Sequence, residues 1–295
     1  MKASETRKGE LFIYAGSLLW SLFPIITVLS YKTLPSMLSL AWSTFFAGLF
    51  LALIMSFRGR WKELRDIRLW KYCFFIALFI GVFFYSFLFK GLESTTPGNA
   101  AIIGLLEVFT SFIFFNIFRK EPIPREHVLG AVLMVFGALI VLLRDFSGIN
   151  AGDLFILIAV FFPPLANMFH QRAREIASSE SIMFVRSALS APALFAIAYA
   201  FGVRASFGDV GASLTFLLLN GILILAVSKV MWIEAIHRIS VTKGVALSSI
   251  SPPLTLLFAW ILLHQAPALW QIAGLVPMMF GVMLLTNQLK LRTRA

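Results

Sequence analysis

"VLGAVLMVFGALIV" (128–141) and "IAGLVPMMFGVMLL" (272–285) stand 144 residues apart and share a pattern. Gly130, Val132, Met134, Phe136 and Gly137 of the first fall on Gly274, Val276, Met278, Phe280 and Gly281 of the second. At the same offset Ser43, Ala47 and Ala52 fall on Ser187, Ala191 and Ala196. Small residues match easily by chance, so the glycine-bearing run carries the weight. Within each run the glycines are seven apart, about two helical turns, and so mark one face. Small residues on one face of an apolar helix let a neighbour pack closely.

The rest of the chain decides what such helices cross. Of 295 residues 59% are hydrophobic and 13% charged, and the mean hydropathy is +0.89. Soluble domains carry about 25% charged residues. This is the composition of an integral membrane protein, with the lipid bilayer as its surroundings. The net charge of +11 does not point to a nucleic acid, because the basic residues lie between apolar segments. The lone Cys73 excludes an internal disulfide. After the polar "MKASETRKGE" comes an apolar run longer than a signal peptide's, read as a retained first helix.

Ten apolar segments follow, near 10–31, 35–57, 69–89, 97–118, 126–143, 152–171, 181–202, 212–233, 244–263 and 267–287. Each is close to the ~20 residues of a spanning helix. With the N-terminus inside, 19 of the 25 Lys and Arg fall on the cytoplasmic side and four outside. That bias predicts ten spans with both termini cytoplasmic. The 144-residue offset separates two sets of five spans. Five is odd, so the sets face opposite ways. The expected fold is therefore all-α and integral to the membrane: ten transmembrane helices as two inverted five-helix repeats, 10–143 and 152–287. Such repeats are frequent in secondary transporters, whose sites lie between them.

The chain resembles the drug/metabolite transporter superfamily, and within it the EamA branch. "LLWSLFPII" (18–26) is similar to the first-helix pattern of that branch. "ISPPLTLLFAWILLHQAPALWQIAGLVPMMFGVMLL" (250–285) is similar to the end of an EamA unit, and "FTSFIFFNIFRKEPIPREHVLGAVLMVFGALIVLL" (109–143) to its first-half counterpart, with Glu121 at the acidic turn. Gln265 departs from that turn in the second half, and Glu107 falls on Ser251, where many relatives are uncharged. The resemblance implies carrier-type transport, often export, of small metabolites such as amino acids.

One residue of "NAAIIGLLEVFTSFIFF" (99–115) stands out. Glu107 is a carboxylate at mid-span, where a charge costs roughly 2.5–3.5 kcal/mol on insertion scales. It could bind a cationic group or exchange a proton; a protonated or paired structural residue is the alternative. Arg186 in "SIMFVRSALSA" could hold a carboxylate or snorkel to the headgroups. In "AVSKVMWIEAIHR", Lys229 and Glu234 are poorly spaced to pair with each other and could pair across helices instead; Lys229 lies deep enough for either role, and Glu234 is expected to snorkel. Asn167 and His170 add polar groups in the same half, although a lone histidine near a helix end is more often structural. Trp20, Trp42, Tyr85 and Trp232 could stack on a substrate or anchor the interfaces. Pro24, Pro163, Pro164, Pro252 and Pro253 fall inside spans, where proline kinks or breaks a helix. The histidines show no ligand spacing, so no metal or cofactor is expected, and no phosphate-binding loop suggests direct use of ATP.

The expected function is a secondary carrier of the bacterial inner membrane. It would export a small-molecule metabolite, best taken as an amino acid or related zwitterion, by alternating access, with protons as a candidate coupling ion. Alternatives are a proton-coupled exporter of cationic drugs, a membrane-embedded enzyme, and a structural or signalling membrane protein. Scattered histidines and the lack of a nucleophile elbow disfavour the enzyme.

Overall fold

The computed structural model describes residues 2–119, 125–143, 150–286 and 288–289. Glu121 lies outside them, as do Lys120, Arg144, Lys290, Arg292 and Arg294 of the charge count. Among the described residues the regular elements are all helical. Nine segments are long and apolar enough to cross a membrane: Ser4–Ser30, Ser36–Arg58, Ile67–Gly91, Pro97–Phe114, Arg125–Leu142, Ala151–Arg174, Ser179–Ala200, Phe207–Arg238 and Lys243–Leu263. The 17-residue Leu269–Leu285 completes the set and is just long enough at 1.5 Å per residue. These are spans 1 to 10. The eighth departs most from its expected bounds, 207–238 against 212–233.

The glycine runs meet each other. Spans 5 and 10 pack face to face, Gly130 against Gly281 and Gly137 against Gly274. A Cβ at Gly137 would stand 2.4 Å from the Gly274 carbonyl oxygen, and one at Gly274 would stand 2.7 Å from that of Gly137. Position 130 of one repeat thus touches the mate of 137, and 137 touches the mate of 130. Such reciprocity is the mark of a two-fold axis. Burial repeats as well: Met134 and Met278 are both 0% exposed, Phe136 and Phe280 56% and 52%. The phenylalanines face outward with Leu49, Leu53 and Trp260, as a lipid-facing surface requires. Spans 2 and 7 also pack together, span 1 packs on span 8, and span 3 on span 6. Each repeat is therefore interleaved with the other.

Spans 4 and 9 are each broken at the same place. Span 4 runs as Pro97–Gly104 and then Glu107–Arg119; span 9 runs as Val241–Ser248 and then Ser251–Leu263. The turns, 105–106 and 249–250, are 144 residues apart. Pro252 and Pro253 lack the N–H groups that would continue span 9. Span 4 has no proline there. Instead Leu105, Leu106 and Val108 donate to carbonyls three residues back at 3.0, 2.9 and 3.0 Å, a tightened turn of the kind found at hinges. Spans 1 and 6 are interrupted beside Pro24 and beside Pro163. Threonines satisfy carbonyls freed at these breaks: Thr110 donates to the Val160 carbonyl at 2.7 Å, and Thr255 to that of Ser21 at 2.9 Å. Spans 3 and 8 widen into π-helix over Ala77–Phe84 and Leu219–Ser228.

Candidate functional site: a charged cavity at the helix breaks

The breaks open the centre of the molecule. A cavity of about 740 Å³, measured out to its mouth, lies in the half nearer the N-terminus, and a second of about 690 Å³ lies beyond it. Both are lined by Trp20, Phe84, Glu107 and Ser248, so these four residues form the floor that separates them.

Glu107 is the first residue of the second half of span 4 and is half-buried on that floor. The free N–H groups and positive dipole end of the half-helix favour a carboxylate there. Lys229 is the first residue after the π segment of span 8. Its Nζ sits 3.3 Å from the centroid of the Trp20 ring, a cation–π contact. Trp20 is itself stacked on Phe23 with centroids 4.5 Å apart and meets the edge of Tyr85. No direct ion pair joins Lys229 to Glu107, although each feels the other's charge across the cavity.

The wall of the first cavity also carries donors. Arg186 is 1% exposed and leans on the Tyr85 ring, its Cζ 5.6 Å from the centroid. Its Nε has no hydrogen-bond partner. The Tyr85 hydroxyl is close enough to feel the guanidinium but does not meet hydrogen-bond geometry. Asn167 accepts a hydrogen bond from Trp232 Nε1 at 3.2 Å, which fixes its amide and leaves Nδ2 unpartnered. Both ring nitrogens of buried His170 are unpartnered too. A buried donor left unpaired costs about 1–3 kcal/mol, more when charged. Several such donors on one cavity wall are what an anionic group binds to.

The structure thus brings together Glu107, Arg186, Lys229, Trp20, Tyr85, Asn167 and His170, with Trp232 beside them. Arg186 does not snorkel; its side chain is buried. Two expected site residues lie elsewhere. Trp42 packs among Phe45, Phe46 and Phe195, away from both cavities. Glu234 takes the alternative to snorkelling, pairing across helices, and is held within the protein. It accepts from Arg174 at 3.0 Å, from Ser179 at 2.5 Å and from Arg238 at 2.5 Å. With the pairs Arg238–Glu5 at 3.1 Å and Lys243–Glu10 at 2.5 Å, it ties spans 1, 6, 7, 8 and 9 together at the N-terminal side.

A polar network at the far side escaped the sequence reading. Asp153, 1% exposed, accepts from the Thr95 hydroxyl and from Asn99 at 3.5 Å, and Asn99 accepts from Gln271 at 2.7 Å. It joins the starts of spans 4, 6 and 10. Asp153 lies in the first turn of its helix, just past the N-cap Asn150, and a carboxylate there is an ordinary helix-start residue. Its sequence context alone does not mark it. Among the described residues no three His, Cys, Asp or Glu side chains cluster as metal ligands.

Over 95% of its length the chain is 21% identical to the "Uncharacterized transporter YoaV" of Bacillus subtilis (strain 168), covering 97% of that protein. It is 22% identical over 208 residues to the "Uncharacterized transporter sll1164" of Synechocystis sp., covering 60% of it. A solved crystal structure shares the fold, with a TM-score of 0.69 and 20% identity over 95% of this chain and 96% of that one. The model of the EamA-like transporter family matches twice, over residues 7–143 and 150–287. With both of its five-span units matched in turn, the chain belongs to the EamA-like transporter family.

Proposed function

We propose that the protein is a secondary carrier that exports small zwitterions, amino acids or close relatives, by alternating access. One observation carries the reading: a single central cavity sets Glu107 against the unpaired donors of Arg186, Asn167 and His170. A zwitterion offers an ammonium to the first and a carboxylate to the second. The units 10–143 and 152–287 enclose the site between them, and the breaks in spans 1, 4, 6 and 9 are where the rocking motion bends. The ion pairs around Glu234 and the network around Asp153 are the contacts that open in turn on either side. Both termini are cytoplasmic and the membrane is the bacterial inner membrane, in keeping with the charge bias of the loops. The charged cavity then faces the cytoplasm, where an exporter loads. A simple cation is the less favoured cargo, because Arg186 and Lys229 would both repel it.

The test is uptake of a panel of radiolabelled L-amino acids into proteoliposomes, with Arg186→Gln alongside. The expected result is saturable transport of at least one amino acid, reduced tenfold or more in the variant. Transport of cationic drugs with no amino acid moved would overturn the zwitterion reading.

A further inference from the structure

The floor of the cavity already holds an ammonium group, its own. We infer that Lys229 is a tethered stand-in for the cationic group of the cargo: in the empty carrier its ammonium fills the subsite made by the Trp20 face and Glu107, and the cargo's ammonium displaces it. This deepens the proposed function and rests on the central cavity being the transport site.

Three features support it. The Nζ stands 3.3 Å from the Trp20 centroid, the position an alkylammonium ligand takes on an aromatic face. Trp20 and Glu107 both lie on the floor between the two cavities, so the carboxylate lines the same space as the ring that holds the ammonium. The displaced lysine also has somewhere to go: Arg186 lines the same cavity, so a cargo carboxylate held there is a counter-charge for it. The occupied subsite shows the ligand chemistry it takes, a primary ammonium.

Charge balance gives the device a purpose. A zwitterion adds no net charge, so Glu107, Lys229 and Arg186 carry the same total loaded and empty. In both states one ammonium shares the cavity with Glu107, the lysine's or the cargo's. The carrier therefore turns round empty without binding a coupling ion. The other titratable groups facing Lys229 are His170 and Tyr85, and neither supplies a fixed positive charge to replace it.

The test uses ethylammonium chloride as the probe and the full-length protein in detergent, with sodium chloride at equal ionic strength as control. Lys229→Met and Lys229→Gln vacate the subsite. Each folded variant, checked by size-exclusion profile, should bind ethylammonium at least tenfold more tightly than the wild type, read by calorimetry. Adding Glu107→Gln or Trp20→Leu should remove the gain. No gain in either folded variant overturns the inference, as does a gain that survives both second substitutions. If the gain appears but no amino acid in the panel is transported, the assignment of Lys229 stands and the zwitterion reading fails. Where an amino acid is transported, Lys229→Met should lose net uptake at least tenfold more than it loses exchange of labelled for unlabelled cargo. Equal loss of both would overturn the tethered role.

Discussion

Glu107 and Ser251 begin the second halves of their broken helices at equivalent places in the two repeats. The backbone does the same thing twice, yet only one site is charged. Ser251 donates to the Ser17 carbonyl at 3.3 Å and so braces span 1; Glu107 faces the cavity. The break therefore belongs to the fold, and the side chain placed on it decides whether it braces a neighbouring span or charges the cavity. A symmetric scaffold can hold an asymmetric site because one substitution at a break is enough to charge it.

The symmetric part is open to the harshest test. Gly137→Leu drives a side chain into the backbone of span 10 at Gly274, and Gly274→Leu drives one into span 5. Overpacking in a tight core costs about 1–3 kcal/mol or more, and here the contact is with backbone that cannot step aside. Both variants should lose most monodisperse protein in detergent. If one is tolerated and the other is not, the two-fold equivalence of the glycine faces is broken. The asymmetric part is tested by Glu107→Gln beside Ser251→Ala. The first should cut transport at least tenfold, in line with about 1.5–3 kcal/mol for a hydrogen bond to a charged group; the second should stay within twofold. Equal effects in the liposome assay would mean that the breaks, not the carboxylate, carry the function.

Much of this plan was legible in the sequence. The spacing of Gly130, Gly137, Gly274 and Gly281 showed the repeat, and apolar runs bounded by Lys and Arg marked the spans. Prolines flagged three of the breaks, but nothing flagged the fourth: the turn at 105–106 is shaped by contacts with span 6, such as Thr110 to Val160, which no local pattern records. Arg186 and Lys229 could be listed as unusual but not placed in one cavity, since they lie on different spans whose rotation only packing determines. The face of Trp42, turned toward Phe195 and away from the cavities, is set by packing in the same way.

Smaller effects sharpen the comparison further. Thr110→Val and Thr255→Val each remove one hydroxyl from a carbonyl at a break. Each should cost roughly 1 kcal/mol, or about 1–2 °C in Tm, and the two losses should match. The smallest effect sits where the repeats differ again. Glu63, in the loop after span 2, accepts from the Ser178 N–H and hydroxyl, both at 2.7 Å, across to the other repeat; the equivalent position is Phe207. Partial burial alone would raise the Glu63 carboxyl, but the hydrogen bonds from Ser178, with help from Ser181 and Arg60, outweigh it and hold it below the usual range. A carboxyl held low contributes stability that is present above its unfolded value, near pH ~4.3, and lost as pH falls through its folded value. Glu63→Gln should therefore lower Tm slightly at pH 7, and the gap to wild type should close below about pH 4. A gap that persists at low pH would show that the charge is not what Ser178 holds.

Tyr85 and Lys229 share a position that their chemistry does not explain: each is the first residue after a π-helical stretch. A π segment accommodates an extra residue in a helix otherwise wound at about 100° per residue. The azimuth of everything downstream is thus indexed by how many residues the stretch contains. Removing one from 219–228 would swing Lys229 through about 100°, off Trp20 and out of line with Glu107, with no change to the lysine itself. Residue count, as much as residue type, aims the two side chains at the cavity, so a single insertion or deletion can re-aim this site as thoroughly as any substitution within it.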